Sequence, residues 1–133
     1  MVPSQDERGP GSDVAARQKT ILVVEDEVLI RMALAQELRE KGYNVLEAAN
    51  GDEALAILRA SLRIDALLSD IRMPGSIDGI DLVRISRTER PAMKILVSSG
   101  HLAATELRGE VDGILSKPID FDVLLARLRL LLA

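Results

Sequence analysis

The chain has 133 residues, enough for one compact domain and too few for a second globular one. Apolar residues make up 47% and charged residues 29%, so a continuous core can form, and 17 basic against 21 acidic residues give a net charge of −4 without the basic cluster that phosphate backbones require. With no cysteine, no tryptophan, one tyrosine and one phenylalanine, disulfide scaffolds, thiolate metal sites and base-stacking surfaces are excluded, and no apolar run is long enough to span a bilayer. The start of the chain lacks the pattern of a secretory signal, so the protein is expected to be soluble and cytoplasmic, with neither nucleic acid nor membrane as partner.

Residues 1–19 combine Pro3, Gly9, Pro10 and Gly11 with serines and charges and show no hydrophobic period, which predicts a disordered extension ahead of a domain over 20–133. From Thr20 onward, short apolar runs alternate with helix-period stretches. Thr20 to Val24 reads as a buried strand that ends abruptly in Glu25, Asp26 and Glu27. A helix over Glu27 to Lys41 places Ile30, Leu34 and Leu38 on one stripe, and Gly42 stops it. Asn44 to Ala48 is the second strand, and Asp52 to Ser61 a helix with Ala54, Leu55 and Leu58 inward.

Asp65 to Ser69 is the third strand, ending in Asp70, and a loop through Met73, Pro74 and Gly75 leads to a helix from Gly79 to about Arg90 with Ile80, Val83 and Ile85 apolar. Lys94 to Val97 is the fourth strand, followed by Ser98, Ser99 and Gly100; the connection beyond it leaves room only for a short helix, Ala103 to Leu107. Gly113 to Ser116 is the fifth strand, broken by Lys117 and Pro118, and Asp120 caps a last helix through Leu132. Five such units predict an α/β fold: a doubly wound, five-stranded parallel sheet in the order 2-1-3-4-5, whose sites lie at the carboxyl ends of the strands.

In that order the first and third strands are neighbours, so Glu25, Asp26 and Asp70 meet. Carboxylates this close repel unless a hard cation neutralises them, and an all-oxygen site suits Mg²⁺. Taken singly, each is also what an ordinary helix cap looks like. Ser98 and Lys117 end the fourth and fifth strands, and a hydroxyl and an ammonium around Asp70 complete a phosphoryl-accepting site in which Asp70 is the nucleophile.

The stretches Ile-Leu-Val-Val-Glu-Asp-Glu at 21–27, Asp-Ile-Arg-Met-Pro-Gly at 70–75, Asp-Gly at 78–79 and Ser-Lys-Pro at 116–118 together resemble the receiver domains of bacterial two-component response regulators. The resemblance implies a flavodoxin-like fold with Asp70 as phosphoacceptor, Asp26 as a direct Mg²⁺ ligand, Glu25 as a ligand through water and the backbone carbonyl of Arg72 as another. It also implies that Ser98 is the switch hydroxyl, that Lys117 pairs with the phosphoryl group, and that the bond before Pro118 is cis. Three features depart from the family pattern. Ile114 stands where the family often carries Tyr or Phe, Ser76 is an extra residue before Gly79, and the connection between the fourth and fifth strands is short.

The expected function is a stand-alone receiver that takes a phosphoryl group from a histidine kinase or phosphotransfer protein and acts on a downstream protein target; it is not an enzyme beyond self-phosphorylation and slow self-dephosphorylation. Relay, drainage and output remain equally open. Two alternatives stand beside it: a phosphorylation-independent pseudo-receiver, and the receiver fragment of a hybrid histidine kinase. An aspartyl-phosphate phosphatase is excluded because Arg72 occupies the place of its second aspartate. In the last helix Phe121, Leu124, Leu128 and Leu131 form the inward stripe while Val123, Leu130 and Leu132 fall off it, which predicts an outward apolar surface suited to a weak homodimer.

Overall fold

The computed structural model describes residues 17–60, 63–100 and 106–133 of the chain. Five parallel strands, β1 (Thr20–Val24), β2 (Asn44–Ala48), β3 (Ala66–Asp70), β4 (Lys94–Ser99) and β5 (Gly113–Ser116), form one sheet in the order β2-β1-β3-β4-β5. Among the described residues four helices cover it: α1 (Val28–Glu40), α2 (Gly51–Leu58), α3 (Gly79–Glu89) and α4 (Phe121–Leu131). The architecture is the expected doubly wound, flavodoxin-like one.

An all-apolar strand serves two cores because successive side chains point to opposite faces. On β1, Ile21 and Val23 pack with Leu34 and Leu38 of α1 and Leu124 and Leu128 of α4. Leu22 and Val24 pack on the other face with Ala54 and Leu55 of α2 and Leu82 and Val83 of α3. Each fully buried aliphatic side chain contributes roughly 1.5–3 kcal/mol against about 1 kcal/mol for a helix cap, so the sheet carries the stability and the caps set the register of the helices.

Three of the helices carry a side-chain cap, at Asp120 as expected and also at Asn50 and Asp78. Asn50 accepts from the Glu53 amide, Asp78 and Asp81 form a reciprocal capping box, and Asp120 accepts from the amides of Asp122 and Val123. The start of α1 differs: Glu27 makes no side-chain cap, and its own amide donates to the Glu25 carboxylate at 3.1 Å.

Several boundaries shift for identifiable reasons. The β3–β4 ladder runs on to pair Asp70 with Ser98, and the β4–β5 ladder pairs Ser99 with Ser116, so these residues belong to the strands themselves. α2 ends at Leu58, and Ser61 lies outside the described residues, as do Ala103 and the next two residues of the expected short helix; Glu106 and Leu107 form a single 3₁₀ turn with Leu107 fully buried. Ile30 is not inward as expected but 43% exposed, because the first turn of α1 lines a cavity beside Lys117 and Pro118; Leu34, Ala35 and Leu38 are the buried stripe. Leu132 packs against the core with Leu131, leaving Val123 and Leu130 as the outward apolar residues of α4.

Of the expected extension, residues 1–16 lie outside the described residues, whereas Arg17 to Lys19 are tied to the domain. Arg17 reaches Asp65, Gln18 donates to the Gly42 carbonyl, and the Lys19 carbonyl accepts from the Asn44 amide. Burial alone would raise the Asp65 carboxyl, but the Thr20 amide at 2.8 Å and the charges of Arg17 and Arg63 outweigh it and hold it below its ordinary value.

On α3, Ser86 is 1% exposed and its hydroxyl has no hydrogen-bond partner among the described residues. A desolvated, unpaired hydroxyl costs roughly 1–3 kcal/mol. Ser86→Ala is therefore expected to raise stability by about 1 kcal/mol, seen as a higher urea midpoint at unchanged slope; a lower midpoint would contradict the assignment.

Candidate functional site

The site is assembled by strand ends. β1 runs out at Val24, β3 at Asp70, and the pairing of Val24 with Ser69 brings the residues that follow β1 beside Asp70. Carboxylate oxygens of Glu25, Asp26 and Asp70 all lie within 4.8 Å of one another. Glu25 and Asp70 are buried, at 3% and 6% exposure, and Asp26 faces solvent. Lys117, immediately after β5, places Nζ 2.7 Å from Asp70 Oδ2 and 3.6 Å from Glu25 Oε1. The Lys117–Pro118 bond is cis.

Ser98 is the register partner of Asp70 on β4 and is buried; its carbonyl accepts from the Ile71 amide at 3.1 Å. The Arg72 amide donates to Asp70 Oδ1 at 3.2 Å. Both carboxylate oxygens of Asp70 are thus engaged, one by a backbone N–H and the other by an ammonium. All six residues singled out in the sequence, Glu25, Asp26, Asp70, Arg72, Ser98 and Lys117, stand at one end of the sheet.

Burial pushes the Glu25 carboxyl above its ordinary value, reinforced by Asp26 and Asp70; the Glu27 amide and Lys117 oppose the rise without cancelling it. For Lys117 burial works downward, but the hydrogen bond and charge of Asp70, aided by Glu25, outweigh it and raise the ammonium. Glu25 and Asp70 therefore share one counter-charge, too little for the three carboxylates.

Close backbone approaches hold the loop after Asp70. A Cβ at Gly79 would overlap the Asp70 carbonyl and Ile71, and the Gly79 amide donates to the Ile71 carbonyl at 2.9 Å, so only glycine lets α3 begin directly beneath β3. Gly51 meets the Ile77 backbone in the same way. The extra loop residue, Ser76, donates its hydroxyl to Asp52 Oδ1 of α2 at 3.0 Å. The Gly51 contact and the Ser76–Asp52 bond join segments far apart in the chain, and no local sequence signal marks either of them.

The donors suit a hard divalent cation: carboxylate oxygens with no thiolate or imidazole among them, and one ammonium set against three acids. Asp70, anchored at both oxygens and facing the cluster, is placed to act as an oxygen nucleophile.

The sequence pattern of the response regulator receiver domain matches residues 21–129. The response regulator TrrA from Thermotoga maritima, solved in complex with Mg²⁺-BeF, superposes with a TM-score of 0.78 at 33% identity, covering 86% of this chain and 99% of that one. The receiver domain of the hybrid histidine kinase CckA superposes at 0.73 with 40% identity over the same shares. Sensor kinase CckA of Brucella abortus is 36% identical over 110 residues, which is 73% of this chain and 12% of the kinase. The chain spans half or less of the length of the curated relatives heading the comparison, at 12%, 48% and 50%. With its strand order, its acidic cluster and its lysine after β5, the chain belongs to the receiver domains of two-component response regulators.

Proposed function

We propose that Asp70 is the phosphoacceptor and that the chain signals or relays through protein contacts in the cytoplasm, with no enzymatic activity beyond self-phosphorylation and slow self-dephosphorylation. The observation that carries this reading is the 2.7 Å contact of Lys117 with Asp70 beside the three-carboxylate cluster. An Asp70 oxygen attacks the phosphorus of a phosphohistidine in line. The P–N bond breaks, its electron pair leaves on the imidazole nitrogen, which takes up a proton, and an acyl phosphate remains on Asp70. Lys117 neutralises phosphoryl oxygens and Ser98 hydrogen-bonds the product. Asp26, Asp70 and the Arg72 carbonyl would hold Mg²⁺ directly and Glu25 would do so through water; the bound ion supplies the remaining counter-charge.

A histidine kinase or phosphotransfer partner fits the surface beside the site. Leu29 is 81%, Met32 55% and Val28 54% exposed, an apolar concentration on a protein whose other large exposed apolar residues are few. Next to it a cavity of about 220 Å³ is lined by Ile30, Leu34, Glu37, Lys117 and Pro118. A helix bearing the phosphohistidine laid on this face would present its imidazole to Asp70. On α4, Val123 and Leu130, seven residues apart and both exposed, support a weak homodimer through that helix.

With acetyl phosphate and Mg²⁺ the protein is expected to gain one acid- and base-labile phosphate by mass spectrometry, and Asp70→Asn none. Undiminished labelling of that variant excludes Asp70, and rapid release of inorganic phosphate points to a hydrolase. No labelling of the wild type favours the phosphorylation-independent module.

Asp26→Ala is expected to abolish measurable Mg²⁺ binding, and with it any Mg²⁺-dependent labelling, because too few charged donors remain. Wild-type affinity in a titration would place the ion elsewhere.

For the α4 contact, sedimentation with and without beryllofluoride should show weak association that Leu130→Glu removes. A strictly monomeric wild type in both states excludes the dimer.

A further inference from the structure

The first eight residues of α1, Val28 to Ala35, are apolar except for Arg31. A cation near a helix N-terminus is disfavoured by the helix dipole, and α1 has no acidic residue in its first turn to offset it. Arg31 is nonetheless largely buried, its side chain 16% exposed. Nη1 donates to the Glu25 carbonyl at 2.8 Å, and Nε lies 3.5 Å from Glu47 Oε1 on β2. Glu47 is itself braced, its Oε2 lying 3.2 Å from Arg39 Nη1. The carbonyl that Arg31 grips belongs to the peptide unit joining Glu25 to Asp26.

We propose that Arg31 is a positioning residue for cation binding. By fixing that peptide against Glu47 it sets the backbone torsions on either side, and so the direction of both carboxylates in the cluster. The inference rests on the reading of the cluster as a divalent cation site. Two effects of Arg31 oppose each other. Its charge repels a cation through space, while its grip spares the ion the cost of ordering the turn. Groups that orient metal ligands are worth roughly 10- to 100-fold in metal affinity, whereas the charge of Arg31 is already paired with the Glu47 carboxylate and largely compensated by it, so orientation wins.

The sign of the effect tests this. Calorimetric titration with Mg²⁺, well below the unfolding temperature and with circular dichroism matching wild type, should show Arg31→Met binding roughly tenfold more weakly. Arg31→Lys keeps the charge and one donor but cannot span both partners, and should lose less. Glu47→Gln, which loosens the brace, should shift affinity in the same direction. Charge repulsion alone gives the reverse order, with Arg31→Met binding more tightly and Arg31→Lys unchanged. Affinity in Arg31→Met equal to or above wild type overturns the proposal; if that variant does not fold, wild-type affinity in Arg31→Lys overturns it as well. A wild type that binds no Mg²⁺ overturns the cation-site reading itself, an outcome distinct from equal binding by wild type and variants.

Discussion

One ammonium set against three carboxylates is the constraint around which this chain is arranged. Lys117 lies between Asp70 and Glu25, bonded to the first at 2.7 Å and within 3.6 Å of the second. Both acids are buried, and burial, reinforced by the neighbouring acids, lifts Glu25 above its ordinary value. Such a group of like charges is held by covalent and hydrogen-bonded structure, because its own electrostatics oppose it. The sheet supplies that structure. Each member of the group is at or just past the end of a strand, so the distances follow from ladder register.

This explains why the fold spends its apolar residues as it does. Two cores, one on each face, clamp the strands from Ile21 and Leu22 on β1 to Leu96 and Val97 on β4, and none of these side chains is exposed. Strand ends clamped in this way can present Glu25, Asp70 and Ser98 with little positional freedom. The loop between β3 and α3 is tied to one of these cores by Ile71 and Met73, and further held by glycine approaches at Gly79 and Gly51 and by the Ser76–Asp52 bond.

Wherever a single residue type at a strand end determined the outcome, the site was legible in the sequence. Glu25, Asp26, Asp70, Ser98 and Lys117 could be read because an apolar run that stops at a polar residue marks both the end of a buried strand and the edge where sites form. The strand order was legible for the same reason, through alternation of short apolar runs with helical periods. Periodicity says which face of a helix is apolar but not how far the sheet beneath it extends, and so Ile30 reads as core while it overhangs a cavity. Leu132 erred in the opposite direction, since a residue off the stripe can still fold back at a helix end. Arg31 and Ser76 were illegible as site components because their roles lie in contacts with Glu47 and Asp52, residues distant in sequence and unremarkable alone.

Charge balance also bears on how a phosphorylated state is maintained and read. Under the proposed function, an acyl phosphate on Asp70 would add negative charge to a cluster that Lys117 alone does not neutralise, so the product would need a divalent cation more strongly than the resting protein. Cation binding and phosphorylation would then be coupled in both directions, each favouring the other by the same free energy. The product also competes for Lys117, which in the resting protein is shared with Glu25. Ile114, half-buried against the core on β5, has no polar tip with which to exchange partners when this happens. The hydrogen bonds held beside Asp70 are those of the Ile71 amide on the carbonyl of its register partner Ser98 and of the Arg72 amide on Asp70 itself. These lie on β4 and on the loop before α3.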